Sequence, residues 1–286
     1  MELIIRFVFG LAIGSFLNVI ATRYNPDKFL ITKKSAGGRS HCPKCGHILS
    51  AWELIPVFSF LIQRRRCVHC GEKISWLYPL GEISGGLILA FVPEVVFSLS
   101  YPATTFFSPT VLIWVAIFLV LQLLSFIDYR FQLIPDEGTL LLIILGALSA
   151  FVYPLQILGM KAGSFLGHYA YLFGFQDSLL VNRLFGMIVA VLFFGFLILI
   201  TKGRGMGMGD MKLSLGLGLV FGWPDVALTV GFAFIIGAIF GLGLMLFKKK
   251  TAKGAVPFVP FLALGAAVVF FFGFPIMDWY FSLLYL

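Results

Sequence analysis

Charge is what this sequence lacks. Of 286 residues only 12% are Asp, Glu, Lys or Arg, where an ordinary soluble domain has about 25%. Hydrophobic residues make up 60%, and mean hydropathy is +1.00. That poverty of charge excludes a soluble globular enzyme and a disordered chain, and it requires lipid as the solvent for most of the protein. Cysteine is also scarce. There are four, all in one polar stretch, which excludes a secreted disulfide scaffold. No repeat and no low-complexity segment is visible. Met1-Glu2 is not a basic leader start and no A-x-A site follows, so residues 1–22 read as a first span rather than a cleaved signal.

What is present is a series of apolar stretches, near 3–22, 82–101, 110–127, 138–158, 183–201, 212–223, 226–247 and 256–275. The sequence therefore predicts an all-α polytopic membrane protein of about eight transmembrane helices. The sixth stretch is short: 11 residues separate Lys212 from Pro224, a rise of about 16 Å. It is either a short span completed by the glycines before it or a re-entrant half-helix. The bases choose between these. Eighteen of the 21 Lys and Arg fall in 23–79, at Arg130, at Lys202, Arg204 and Lys212, and at Lys248–Lys250 and Lys253. If every stretch crosses, all these loops share one side, which the positive-inside rule makes cytoplasmic, with both termini outside. Arg6, Lys161 and Arg183 are the exceptions. The aromatic, semi-polar stretch 161–180 reads as an interfacial helix on the outer face. The net charge of +8 is thereby used by topology, and nucleic acid is not an expected partner; the lipid bilayer is. The expected organisation is a first helix (1–22), a cytoplasmic loop (23–79) and a membrane core (80–286).

All four cysteines sit in that loop, as Cys42-Pro-Lys-Cys45 and Cys67-Val-His-Cys70. C-x2-C spacing lets two thiolates reach one tetrahedral ion, and Gly46 and Gly71 suit the tight turn of a knuckle. The 21 residues between the pairs slightly exceed the usual spacing. A cytoplasmic loop keeps thiols reduced, so a structural, four-thiolate zinc-knuckle site is expected rather than disulfides. His41, His47 and His69 are spare candidate ligands.

Two acids stand at membrane boundaries. Asp128 closes the third stretch, and Asp210 ends Gly205-Met206-Gly207-Met208-Gly209-Asp210 after the fifth. Either alone reads equally well as a wet interfacial aspartate. Together, at one depth, two carboxylates can share a proton and act as acid and base on a peptide bond. The glycines either let a substrate backbone approach or pack helices. Asp136 reads as a helix N-cap, and Lys212 as a boundary lysine pointing away from Asp210.

These motifs, in order, resemble the type IV prepilin peptidases. Gly14-Ser15-Phe16-Leu17-Asn18-Val19, the two C-x2-C pairs, Ile74-Ser75 with Tyr78-Pro79-Leu80 and Glu82, Phe126-Ile127-Asp128 with Pro135-Asp136, Gly207-Met208-Gly209-Asp210, and Val256-Pro257-Phe258 with Pro260-Phe261-Leu262 cover nearly the whole chain. The resemblance implies a bacterial inner-membrane aspartyl protease, with Asp128 and Asp210 as the catalytic pair and Cys42, Cys45, Cys67 and Cys70 holding zinc. It implies cleavage of the basic leader from prepilins or pseudopilins of pilus and type II secretion systems at the cytoplasmic face. Methylation of the new amine by S-adenosylmethionine would follow. The sequence departs from the family pattern at Leu54, Arg65 and Leu77 in the loop, and at Gly138 and Val259. No residue is assigned to the methyl donor. Glu53 or Glu72 is a candidate reader of the basic leader. The rival classes are an ion-coupled transporter, whose acids would lie nearer the midplane, and an assembly scaffold docking partners through the zinc loop.

Overall fold

The computed structural model describes residues 1–32, 35, 37–99, 105–151, 163–174, 178–246 and 256–284. Lys33, Lys34, Lys161, Lys248–Lys250, Lys253 and the end of the fourth apolar stretch lie outside the described residues. Among the described residues there are nine α-helices and no β-strand. They are α1 (Glu2–Arg23), α2 (Phe58–Ile62), α3 (Leu77–Leu99), α4 (Pro109–Phe131), α5 (Asp136–Phe151), α6 (Leu179–Thr201), α7 (Met208–Phe221), α8 (Asp225–Leu246) and α9 (Val259–Leu284). Helix is the expected form, since backbone in lipid must satisfy its own hydrogen bonds.

Eight of these helices occupy the eight apolar stretches, and α2 lies in the polar loop. Six (α1, α3, α4, α6, α8 and α9) are long and apolar enough to cross a membrane. The other two, α5 and α7, have 16 and 14 residues. Helix α7 nonetheless runs from one end of the bundle to the other. It starts beside Asp136 and Ile134, and the turn after it meets Asn182 and Phe173 near the start of α6 (Asn182 Nδ2 to the Trp223 carbonyl, 2.5 Å; Trp223 Nε1 to the Phe173 carbonyl, 2.7 Å).

Glycine sets the crossings. Helices α1 and α3 are antiparallel neighbours, although a loop of some fifty residues separates them in sequence. A Cβ at Gly10 or Gly14 would strike the carbonyl of Gly85 or Gly81, so the two backbones touch, the close approach that small residues permit in membranes. Gly186 and Gly218 do the same between α6 and α7.

Helix α4 is the axis. Trp114, Ile117, Leu121, Leu124 and Ile127 are fully buried along it, and Trp114 meets Phe165, Phe221 and Phe270. By contrast Leu180, Phe185, Leu192 and Phe196 of α6 point outward, as lipid contact requires.

Two of the off-pattern bases are accounted for at the end opposite the polar loops. Arg6 pairs with Glu94 at 2.5 Å, and buried Arg183 donates to the Leu219 carbonyl at 3.2 Å. The expected interfacial helix differs from expectation. Residues Gly167–Phe173 form a 3-10 helix folded down onto α9, with Tyr169 stacked on Phe281 and bonded to Asp278. Buried Asp225 holds this segment, accepting from Ser164 Oγ and the Phe165 N–H, each at 2.7 Å.

Candidate active site

The polar end gathers the C-termini of α1, α4 and α6 with the N-termini of α3, α5, α7 and α9. Tyr24 after α1 packs on Phe131 at the end of α4, centroids 5.7 Å apart. At this end a cavity of about 480 Å³ opens between the α4–α5 turn, the glycine loop and the segment entering α9. Asp128 and Asp210 both line it, as do Asp136, Arg204 and Lys212. The structure thus brings the two aspartates, 82 positions apart in sequence, to the lining of one cavity.

Each aspartate is oriented by a helix N-terminus. Asp210 is the third residue of α7, and its Oδ2 accepts from the Gly207 N–H at 3.1 Å, one half of a capping box. Asp128 is buried near the C-terminus of α4, and its Oδ2 accepts from the N–H of Val259, the first residue of α9, at 3.0 Å. Val259, where the resembled family has glycine, contributes only its backbone at this point. Of the glycines, Gly209 is a packing residue: its Cα faces Ile134, and an added Cβ would sit 3.2 Å from that side chain. Gly205, Gly207 and Gly209 all line the cavity. Gly138 lies against Leu124, which fills the space a larger side chain would need.

One expectation is corrected here. Asp136 is the first residue of α5 rather than its N-cap, and its carboxylate is taken up by Lys212 Nζ at 2.7 and 3.0 Å. Lys212 therefore faces the cavity. Its partner sits on another helix, so the expectation that Lys212 points away from Asp210 is not contradicted.

In the loop, the two C-x2-C turns are near copies. The Cys42 N–H bonds the His47 carbonyl and the Gly46 N–H the Cys42 carbonyl; the Cys67 N–H bonds the Glu72 carbonyl and the Gly71 N–H the Cys67 carbonyl, all at 2.9 Å. Gly46 and Gly71 share φ +71°, which only glycine adopts cheaply. The cysteines are free thiols, and their four Sγ atoms lie within 4.8 Å of one another. Hydrogen bonds from the backbone of Cys45 and Lys44 hold the Cys42 thiol down to about 6. Four converging sulfurs on two glycine-turned knuckles fit a tetrahedral four-thiolate metal. Arg65 lies over the Trp76 ring at 5.3 Å and bonds the Ile74 carbonyl, so this departure from the family pattern braces the second knuckle. Buried Glu82 ties loop to bundle through Ser15 Oγ (2.9 Å) and the Val57 N–H (2.7 Å). Of the two candidate leader-reading acids, Glu72 pairs with Lys44, and Glu53 accepts from the N–H and Oγ of Ser50.

A bundle of apolar helices, six of them long enough to cross a membrane, with a carboxylate-lined cavity at its polar end defines a multi-pass helical membrane protein. The comparisons give that class its family. The bacterial peptidase A24 N-terminal domain matches residues 8–95, and the type IV leader peptidase family matches residues 115–242. The chain is 30% identical to the prepilin leader peptidase/N-methyltransferase of Aeromonas salmonicida (strain A449), over 96% of this chain and 92% of that one. To the protein of the same name from Bacillus subtilis (strain 168) it is 29% identical over 96% of both, and to that from Pseudomonas aeruginosa 29% over 92% and 88%. No solved structure matches. The chain belongs to the prepilin leader peptidase/N-methyltransferase family of enzymes.

Proposed function

We propose that this enzyme is an aspartyl endopeptidase of the bacterial inner membrane. It cuts the basic leader from prepilins or pseudopilins at the cytoplasmic face, and N-methylation of the new terminus follows. The observation that carries the reading is the shared cavity of Asp128 and Asp210 at the polar end. In this reading the two carboxylates facing one cavity hold one proton between them. The ionised one takes a proton from water as the water oxygen bonds the scissile carbonyl carbon. The protonated one gives its proton to the carbonyl oxygen. The tetrahedral intermediate then breaks its C–N bond, and the amine leaves with the proton taken from water. The Gly207 and Val259 amides keep the carboxylates aimed.

The polar end is read as cytoplasmic and both termini as external, with eight crossings, an inserted loop (23–79) and a core (80–286). Supporting this, the described basic loops share one end, and α7 runs through the bundle despite its length. Cys42, Cys45, Cys67 and Cys70 would hold a structural zinc, which fixes the fold of the loop. The family name implies S-adenosylmethionine as methyl donor. The acids of the cavity suit its cation, but Phe258 is the lone aromatic lining it. These residues do not amount to a donor site.

The test is cleavage of a prepilin co-reconstituted with the purified enzyme in liposomes. Asp128→Asn and Asp210→Asn should each slow it by about 10²–10⁴-fold or more, with expression and helicity retained. Full activity in either variant contradicts the proposal. Aspartate-dependent ion flux in the same liposomes would favour the transporter reading, and none is expected.

A further inference from the structure

A second cluster of ligand-type side chains lies beside the four cysteines and is used by none of the chemistry above. One ligand atom each from His47, Glu53 and His69 lies within 4.8 Å of the other two. The residues come from three different pieces of the loop: His47 follows the first knuckle, His69 lies inside the second, and Glu53 sits on the 3-10 turn Trp52–Leu54 between them. The two imidazole rings approach to 3.3 Å between centroids, tilted by 32°. His47 Nε2 stands 3.9 Å from Glu53 Oε2. Ser50 anchors that oxygen twice, while the other, Oε1, is buried without a hydrogen-bond partner. A buried carboxylate oxygen left unpaired is costly, and a cation is what would satisfy it.

We propose that His47, Glu53 and His69 bind a second divalent transition ion, zinc-like in preference and separate from the four-cysteine site. Bonds of 2.0–2.2 Å to imidazole nitrogen and carboxylate oxygen put tetrahedral ligand atoms about 3.4 Å apart, so the ion would draw His47 Nε2 and Glu53 Oε2 in from 3.9 Å and the whole set in from within 4.8 Å. Two imidazoles and a carboxylate favour zinc and its neighbours over calcium or magnesium. Three protein ligands leave a fourth position open, and His69 is solvent-exposed. The ion would cross-link the two knuckles through the turn that joins them, so it orders the loop independently of the thiolates.

The test uses the full-length protein in detergent and metal alone. Elemental analysis after zinc loading and desalting should give two ions per chain. His69→Gln and Glu53→Gln should each give one, with the second ion weakened beyond the about 10–100-fold expected from loss of a mere supporting partner. Cobalt titration of the unaltered protein needs no variant. Two phases are expected, one carrying the intense thiolate charge-transfer absorption and one without it, and only the latter should vanish in the variants. One ion per chain in the unaltered protein, with a single thiolate phase, would overturn the proposal. So would variants that keep both ions, or variants that fold yet lose both together.

Discussion

At Asp128 and Asp210 the side-chain identity could be read from the sequence, but what holds each carboxylate could not. One amide belongs to the residue three before Asp210, the other to a residue 131 positions beyond Asp128. Only the first is a local pattern. The same division applies to Lys212. Helical offset sets it away from Asp210, and its partner Asp136 is on another helix 76 positions away, a contact no local rule contains. Gly209 is expected to matter through packing. Gly209→Val should push on Ile134, shift the third residue of α7 and lower turnover several-fold, while the melting temperature in detergent falls little. Unchanged turnover would show that this contact does not position Asp210. Lys212→Ala should change stability by no more than about 1 kcal/mol, because the pair with Asp136 is solvent-exposed; a thermal melt in detergent checks it.

At the scale of elements, eight apolar stretches mapped onto eight helices because apolar length is a local property. The boundaries moved where caps rather than hydropathy set them. Helix α4 runs to Phe131, ended by Gln132 at φ +52°, and α7 starts at Met208 instead of 212. The two cysteine turns were legible from C-x2-C followed by glycine, a pattern of five residues. The α1–α3 crossing was not. Gly14 was visible as part of a motif, but the carbonyl it makes room for, Gly81, lies beyond the whole polar loop. Gly14→Leu should therefore separate the helices and destabilise the protein by more than the about 1–3 kcal/mol of ordinary overpacking, because backbone rather than a mobile side chain must move. Wild-type yield and thermal stability in detergent would contradict the touching-backbone account.

At the scale of the molecule, composition alone fixed the solvent as lipid, and the distribution of Lys and Arg gave a sidedness. Two of the three exceptions proved to be used internally, Arg6 by Glu94 and Arg183 by the Leu219 carbonyl, so they need not be read as topological signals. The orientation makes a direct expectation. A reporter that is active only outside the cytoplasm should work when fused after Leu286 and fail when inserted near Gly38. The reverse pattern would invert the assignment of faces, and equal activity at both sites would mean an even number of crossings between them, instead of the seven expected.

The central claim is that Asp128 and Asp210 together remove a basic leader. Its most direct test is the intact mass of a prepilin co-expressed with this protein, beside Asp128→Asn and Asp210→Asn. The account predicts a mass lacking the leader and carrying one added methyl group with the unaltered enzyme, and the full-length precursor with either variant. Leader loss that persists in both variants would contradict it.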